Sequence, residues 1–416
     1  MKNQLNREID EYCCESSALS EACWEVEQIL EQLRWWVEDN DYAGYEPYDL
    51  LNSPWFAPVW NRSIVASSVL IQLGRRFVGA RTREWLRVPK SKNPKAIGLF
   101  LSGYCDLVRC GTNQQGTIAY LKSELKRLCS PGEAESCWGY DWNFNSLRGS
   151  VMRAFAPNAI ATVFCANALF DAREVLGDTD SERMALSACR FFVTRLNRSC
   201  WDVPEEICFS YTPENHSLIF NNSLLVAAVL ARASVATGNA DYAVLASRAV
   251  KFACRAQQAN GAWSYGLGRM QDWVDGFHSG YNLCAISAYR RHTGDETVND
   301  SLEKGYEFYK RQCFTEEGVP KYFADNLYPI DIHACSQAII TFCEFADSDP
   351  EALDRAMRVF RWTIYNMRSP EGHFYYQKHR FRRNSTPYMR WGQAWMFRAL
   401  ARLLLKLKEH GSEAVD

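Results

Sequence analysis

The sequence lacks the features of a secreted, membrane-spanning or nucleic-acid-binding protein. Residues 1–15 are polar and acidic, without the apolar segment of a secretory signal. No later stretch reaches the ~18 uninterrupted apolar residues of a transmembrane helix. The net charge of −2 provides no excess of positive charge for a nucleic acid or for a polybasic membrane patch. We therefore expect a cytoplasmic protein that binds no nucleic acid and does not insert into a membrane.

The sequence also lacks the motifs of the common catalytic and metal sites. It contains no GxSxG, Walker A, HExxH or GxGxxG sequence, which disfavours the corresponding enzyme classes. The 16 cysteines form no CxxC pair with matching partners, and His333 and Cys335 would diverge on a helix. Many cysteines fit helix faces, where a free thiol packs as a small hydrophobe. We expect reduced cysteines and neither a metal nor a cofactor.

What the sequence does contain is a repeated pattern: an aromatic-rich turn, mostly opening on glycine, a polar loop and then an apolar helix. The turn occurs at 138–142, 261–265, 318–322 and 372–376, with a degenerate copy at 200–211. A spacing of roughly 54 to 63 residues suits two helices joined by a long loop. The rings in these loops either stack on a ligand such as a sugar or fill the interior of the fold.

The helical periodicity predicts an all-α protein, an (α/α)6 toroid with a central funnel at one end. Charge-rich amphipathic segments predict outer helices, and more apolar segments predict inner helices. The outer helices are expected near 115–129, 181–197, 241–258, 297–313 and 350–368, and the inner ones near 158–176, 219–237, 280–292, 332–346 and 391–407. Segments 19–38 and 62–78 would form the first hairpin, beside an irregular helix at 96–109. We expect a single domain over 1–416, with 79–95 an irregular insertion and 408–416 a disordered tail.

The loops before the inner helices carry the candidate catalytic residues. Their helix N-termini would favour an anionic group of a substrate. Asp275 and His278 suit a base and its partner, with Tyr281 as a second proton donor, although Asp275 also fits a helix cap. Asp141 lies between aromatic residues that would raise its pKa, as a general acid requires.

The same loops carry the candidate substrate-binding residues. Two of these have structural alternatives, because Asp331 is a natural helix cap and Arg390 suits an ion pair with a neighbouring carboxylate. The predicted set is Tyr48, Asp49, Asn52, Trp138, Trp142, Tyr211, His216, Asp331, His333, Tyr388, Arg390 and Trp391.

Six segments, in order, resemble the VpsJ-like proteins, a bacterial family associated with polysaccharide biosynthesis. The segments are 44–54, 93–100, 137–140, 275–283, 328–333 and 388–391, and the resemblance spans residues 42–405. More distantly, the repeated turns and the RWGQAW sequence at 390–395 look like six-hairpin glycosidases, including unsaturated glucuronyl hydrolases. The resemblance implies a six-hairpin toroid in surface-glycan or exopolysaccharide metabolism, and fold analogy alone gives no reaction.

Three hypotheses for the function follow. The first is a carbohydrate-active enzyme acting on an acidic, uronate-containing oligosaccharide, in the first place a glycoside hydrolase and next to it a lyase or epimerase. As a hydrolase it would use Asp141 and Asp275 as its carboxylate pair, and as a lyase or epimerase it would use His278 or Tyr281 as base, with Arg390 stabilising an enolate. The second hypothesis is a non-catalytic glycan-binding or assembly protein. The third, a terpenoid cyclase, is disfavoured because no DxDD motif is present.

Overall fold

The computed structural model describes residues 2–145, 151–200, 202–268 and 270–413. These residues are mainly helical. The helices, in chain order, are α1 (Lys2–Asp39), α2 (Ala57–Trp60), α3 (Ile64–Phe77), α4 (Ala80–Trp85), α5 (Pro94–Arg109), α6 (Gln115–Arg127), α7 (Ala159–Leu176), α8 (Thr179–Arg195), α9 (Phe220–Thr237), α10 (Ala240–Arg255), α11 (Gly276–Thr293), α12 (Asn299–Gln312), α13 (Ile332–Glu344), α14 (Ala352–Met367) and α15 (Trp395–Glu413).

Short strands and tight turns decorate the loops. A π-helical turn over Met389–Ala394 leads into α15, and 3₁₀ turns occupy Asp49–Asn52 and Glu296–Val298. The strands pair antiparallel as β1 with β2, β3 with β4, and β5 with β6 with β7. They are β1 (Phe144–Asn145), β2 (Val151–Met152), β3 (Arg198–Ser199), β4 (Cys208–Phe209), β5 (Ile330–Asp331), β6 (Gln377–Lys378) and β7 (Arg383–Asn384).

Six helices form a closed inner ring. Helices α5, α7, α9, α11, α13 and α15 each pack against the next, and α15 returns to pack against α5. Around them lie α6, α8, α10, α12 and α14, each against the inner helix that precedes it, while α1 covers α15. The predicted (α/α)6 toroid is thereby confirmed.

The first hairpin differs from the predicted one. Helix α5, expected to be irregular, is an inner helix buried over nearly its whole length. Its glycines allow this close packing, since a Cβ on Gly98 would lie 2.9 Å from the Phe164 carbonyl oxygen and one on Gly103 would lie 2.6 Å from the Phe397 ring. Helix α3 lies outside the ring, against β1 and the 49–52 turn. The periodicity of α3 predicted the helix correctly but gave no information on its partner.

Two expectations about irregular segments also differ. Helix α15 continues through 408–413, so the predicted disordered tail is wrong there, and 414–416 lie outside the described residues. Segment 79–95 contains α4, and Arg83 on that helix is fully buried in an ion pair with Asp49, 2.9 Å between Nε and Oδ1. This buried pair anchors the segment to the loop after α1.

The chain direction places all the inner-helix N-termini at one end of the ring, which we call the mouth. Inner helices α7, α9 and α11 end at Gly177, Gly238 and Gly294, whose φ values of 70°, 70° and 69° are the left-handed conformation that glycine favours. Short turns follow, and the long loops then run back from each outer helix to the mouth. Helix α9 is the one described helix that meets the length and apolarity of a membrane span, and 72% of it is buried within the ring.

Candidate functional site

Helix α11 begins with a carboxylate–imidazole pair at the mouth. Asp275 caps the helix by accepting a hydrogen bond from the His278 backbone N–H at 2.8 Å. Its other oxygen lies 2.6 Å from His278 Nδ1 and accepts from Trp273 Nε1 at 3.0 Å. The two roles proposed for Asp275, cap and histidine partner, are thus filled together. His278 is 20% exposed, and with Nδ1 held by the carboxylate its Nε2 is the nitrogen left for chemistry.

One helical turn later, Tyr281 joins His278 to a second histidine on the next inner helix. The Tyr281 hydroxyl and His333 Nε2 form a short hydrogen bond, and the rings of His278 and Tyr281 lie 5.8 Å apart. The Nδ1 atom of His333 is buried and has no hydrogen-bond partner among the described residues. Burial, and after it the charge of Lys95, holds the pKa of His333 well below its usual range. His333 is therefore neutral, with one ring nitrogen unsatisfied.

Lys95, in the first turn of α5, adds a buried cation to this cluster. Its Nζ lies 4.2 Å from the ring centre of Phe164, 5.0 Å from Trp395 and 5.6 Å from Tyr281. No described carboxylate pairs with it. Burial holds the pKa of Lys95 well below its usual range, because ring faces compensate an ammonium only in part. An anion bound next to Lys95 would stabilise the protonated amine, which burial disfavours.

Arg390 lies beside the cluster in a buried ion pair. Its Nη2 is 2.9 Å and its Nε 3.1 Å from Glu46 Oε2, and its backbone N–H donates to Glu46 Oε1 at 3.2 Å. The guanidinium also lies 4.9 Å from the ring centre of Trp142 and 5.2 Å from that of Tyr140. Burial raises the pKa of Glu46, and Arg390 opposes that shift. The alternative in which Arg390 pairs with a neighbouring carboxylate is the observed one.

Asp141 is buried and occupied by hydrogen bonds. Its carboxylate accepts from Asn93 Nδ2 at 2.5 Å and from Ser91, and its own carbonyl accepts from Asn52 Nδ2 at 3.0 Å. Asn93 in turn caps α5 through the Lys95 N–H. Burial raises the pKa of Asp141, the direction predicted from its aromatic neighbours. Its position nevertheless serves to join the mouth loops.

Asp331 is the helix cap that the sequence offered as its structural alternative. It caps α13 through the His333 N–H at 2.9 Å and accepts from Trp391 Nε1 at 2.9 Å and from Gln377 Nε2 at 2.6 Å. Burial raises its pKa to about 6. By holding the Trp391 indole, Asp331 positions one wall of the site, since that ring packs 4.7 Å from His333.

The other predicted substrate-binding residues divide into two groups. Tyr48, Trp142 and Tyr211 belong to the aromatic lining: the Tyr48 ring lies 6.1 Å from Trp142, and the Tyr211 hydroxyl lies 3.1 Å from that of Tyr140. They remain candidate binding residues.

In the second group, three side chains are occupied by contacts within the fold. Asp49 is committed to Arg83, Trp138 donates its indole N–H to the Leu125 carbonyl at 2.8 Å, and Tyr388 packs under Arg83. His216 is exposed. Burial against other elements, which spacing alone does not reveal, accounts for the first three.

Two site residues were missed by sequence reasoning. Lys95 is the only charge in the first turns of an otherwise apolar helix, and that isolation was the available signal. Glu46 stands in an aromatic loop, and its partner is 344 residues away, so no local pattern identifies the pair. Among the described residues, no three His, Cys, Asp or Glu side chains are grouped so as to hold a metal ion.

No protein-family model and no curated protein matches the sequence, so the VpsJ-like resemblance stays a prediction. Solved structures do match the fold. Cellobiose 2-epimerase from Bacillus thermoamylovorans B4167 superposes with a TM-score of 0.58 at 12% identity, over 77% of this chain and 88% of that one. A GH76 α-mannanase from Bacteroides thetaiotaomicron gives 0.56 at 10% identity, over 79% and 89%. A UGL structure with dGlcA-Glc-Rha-Glc gives 0.55 at 16% identity, over 76% and 88%. At these identities the likeness establishes the fold, the (α/α)6 toroid.

Proposed function

We propose that the protein is a sugar-converting enzyme that transfers a proton at a carbon next to a carbonyl or carboxyl group, as an epimerase, isomerase or lyase does. The single observation that carries this proposal is the Asp275–His278 pair facing Tyr281 and His333. The carboxylate holds Nδ1–H of His278 and so keeps the Nε2 lone pair available as a base.

A second proton-handling pair lies beside the first. Tyr281 shares a hydrogen bond with neutral His333. In the tautomer with its proton on Nε2, His333 donates to the Tyr281 oxygen, which leaves the phenol O–H to donate to the substrate. The substrate would lie between His278 and this pair, with one side removing a proton and the other donating one. Lys95 and Arg390 would stabilise the negative charge that develops on the substrate oxygen.

The unpaired Lys95 amine also supports an anionic substrate, because a bound anion would favour its protonated form. A carboxylate or phosphate on the sugar would supply the counter-charge that the described residues do not. This agrees with the acidic oligosaccharide expected from the sequence, and the resemblance to VpsJ-like proteins supports a role in surface-glycan metabolism. We also propose that the protein is cytoplasmic, as expected from its sequence.

The geometry gives less support to hydrolysis by Asp141 and Asp275. A glycosidase needs one carboxyl group to protonate the leaving oxygen and another to attack or to activate water. Asp141 is bound by Ser91 and Asn93, and Asp275 by Trp273 and His278. Neither acid is free to move to a glycosidic oxygen.

The fold relatives support a sugar substrate by what their names state: an epimerase of cellobiose, a mannanase, and a UGL with a bound oligosaccharide. The cluster itself is enclosed, with Lys95, Tyr281 and His333 each at most 4% exposed. The Trp391 ring packs 4.7 Å from His333 and 6.1 Å from Tyr48. Entry of a sugar therefore requires side chains around the cluster to move.

The test is proton NMR of acidic oligosaccharides incubated with the protein in deuterated water. Exchange of a sugar C–H for deuterium supports an epimerase or isomerase, and vinyl protons support a lyase. We expect His278→Asn to slow either change by at least about 100-fold, the usual contribution of a general base. His410→Asn is the matched control, because His410 lies in the last turn of α15, at the end of the ring opposite the mouth, and it should retain full activity.

Three results would contradict the proposal. New reducing-end signals alone would mean hydrolysis, and unchanged rates in His278→Asn would remove the assigned base. Line broadening of the sugar without any chemical change would favour the non-catalytic glycan-binding protein.

A further inference from the structure

Helix α3 turns its apolar side chains outward. Val65, Val69, Leu73 and Phe77 follow one another at four-residue intervals, which places them along one helix face, and they are between 44 and 66% exposed. The opposite face is buried although it contains Ser67, Ser68 and Gly74, with Ile71 as its aliphatic member. A surface helix of a globular protein has the reverse arrangement.

Two tryptophans extend this apolar face. Trp55 is 64% and Trp85 79% exposed, and the Ser53 hydroxyl, which donates to the Leu86 carbonyl at 2.6 Å, holds their two segments together. We call Trp55, Trp85 and the four α3 residues the apolar face. Contiguous exposed apolar surface of this kind marks a binding surface.

Basic residues surround the apolar face. Residues 54–92 contain eight basic residues and one acidic residue, Glu84, although the whole chain has a net charge of −2. Arg83 is buried against Asp49 and Lys92 pairs with Asp41 and Glu124, which leaves six of the eight for this surface. The β6–β7 hairpin adds four more basic residues within 378–383, and the guanidinium of Arg382 lies 5.6 Å from the Phe77 ring centre. The expectation of no polybasic patch, drawn from the average charge, overlooked this local concentration.

We propose that the apolar face and its basic surround dock on an anionic lipid bilayer. Arginine and lysine would bind the lipid headgroups, the aliphatic side chains of α3 would enter the acyl boundary, and tryptophan suits the interface between them. The helix would lie in the plane of the bilayer and span nothing. The docking does not depend on the proposed chemistry at the site.

A bilayer fits these observations better than a nucleic acid or a second copy of the chain. A nucleic acid would use the basic residues and leave the apolar stripe exposed to water. A second copy would bring equally basic surfaces together, which repel each other. An anionic bilayer complements the charge and buries the stripe at once.

The location adds a consequence for access to the site. Arg75 on α3 lies within hydrogen-bond reach of Tyr48, whose ring packs against Trp391. Docking through α3 would therefore bring the mouth next to the headgroups. If the proposed function holds, a sugar carried by a lipid could reach the cluster without leaving the membrane.

The experiment is co-sedimentation of the full chain with two kinds of vesicle, phosphatidylcholine alone and an equal mixture of phosphatidylcholine and phosphatidylglycerol. We expect binding to the anionic vesicles only. The apolar variant Val69→Ser/Leu73→Ser/Phe77→Ser should bind at least about tenfold more weakly. The charge variant Arg76→Glu/Arg81→Glu/Arg382→Glu should lose about fivefold for each basic residue removed.

Val244→Ser on α10 is the control, because Val244 is 55% exposed and far from α3 in the ring. All variants change exposed side chains, so their melting temperatures should match that of the unchanged protein. Failure to bind anionic vesicles at low salt overturns the proposal. The proposal is also overturned if the apolar variant binds anionic vesicles as well as the unchanged protein does, because the binding would then be non-specific charge attraction. A dimer that only the apolar variant dissociates, without vesicle binding, would identify a second copy as the occupant, and binding to RNA alone would identify a nucleic acid.

Discussion

Replacing Glu46 by glutamine tests whether the Glu46–Arg390 pair is ionic and holds the mouth together. Both side chains are at most 3% exposed. The carboxylate accepts two hydrogen bonds from Arg390, from its backbone N–H and its Nε, and lies 2.9 Å from its Nη2. Arginine stays charged even when buried, so the variant leaves a cation with only aromatic faces around it. Removing one partner of such a pair costs about 3–5 kcal/mol. At roughly 2.1 cal/mol/K per residue, this corresponds to a melting temperature about 3–6 °C lower.

The reverse substitution should cost less. In Arg390→Met the buried Glu46 can take up a proton, because burial already raises its pKa. Burial favours protonated Glu46 in the folded protein. The stability that this proton contributes is therefore complete at pH values below the unfolded-state pKa of 4.5. It is lost as the pH rises through the higher pKa that Glu46 has in the folded protein. In Glu46→Gln the remaining buried group is the Arg390 guanidinium, which cannot lose its charge in the same way. The double variant should recover most of the loss, since buried pairs exchange for apolar groups at little cost.

Urea unfolding followed by tryptophan fluorescence provides the measurement. The control is Glu351→Gln at the residue before α14, which breaks an exposed pair with Arg355 and should change the free energy of unfolding by about 0.5 kcal/mol or less. If Glu46→Gln at neutral pH is as stable as the control, Glu46 is protonated in the native protein and the ionic interpretation is refuted.

Three further predictions concern stability. Gly139→Ala would place a Cβ 2.1 Å from the Ala156 carbonyl oxygen and should cost about 1–3 kcal/mol or more, whereas Gly116→Ala, with open space around it, should leave the melting temperature unchanged or slightly higher. Burial lowers the pKa of His292 from 6.5 to about 4, so the folded protein should lose stability as pH falls from 6.5 towards 4, and His292→Gln should flatten that loss in a pH series of melting curves. Lys95→Met should raise the free energy of unfolding at neutral pH by about 1–2 kcal/mol and abolish thermal stabilisation by glucuronate; a variant that is less stable, or that glucuronate still stabilises, would contradict the anion-binding role.

The ring could be predicted from the sequence because it is built from local signals. Periodicity distinguishes buried from amphipathic helices, and Gly177, Gly238 and Gly294 mark where inner helices end. The first hairpin was wrong for a reason that periodicity does not contain. The sequence predicts a helix for both α3 and α5, and only packing decides which of the two becomes an inner helix of the ring.

The site shows the same limit at the level of side chains. Asp275 and His278 are three residues apart, so their pairing follows from helix geometry and was expected. Glu46 and Lys95 meet Arg390 and Tyr281 only in the closed ring, so their roles became visible only in the structure. Asp141 has the environment of a buried acid, but its partners Ser91 and Asn93 turn it into a connector of loops.

The ring closes only when α15 packs against α5 and α1 covers α15, which makes assembly of the site a late event in folding. Glu46 and Arg390 are separated by 344 residues, and contacts of such sequence separation form slowly because long loops must close first. During synthesis the earlier helix pairs exist before α15 has left the ribosome, with the surfaces that will face α15 still open to water. Nascent chains should therefore depend on chaperones until the last helix arrives. In the folded protein the first helix, α1, packs against the last one, α15. A circular permutant that links these two helices, and has its new termini in an exposed turn between outer helices, should fold to the same toroid.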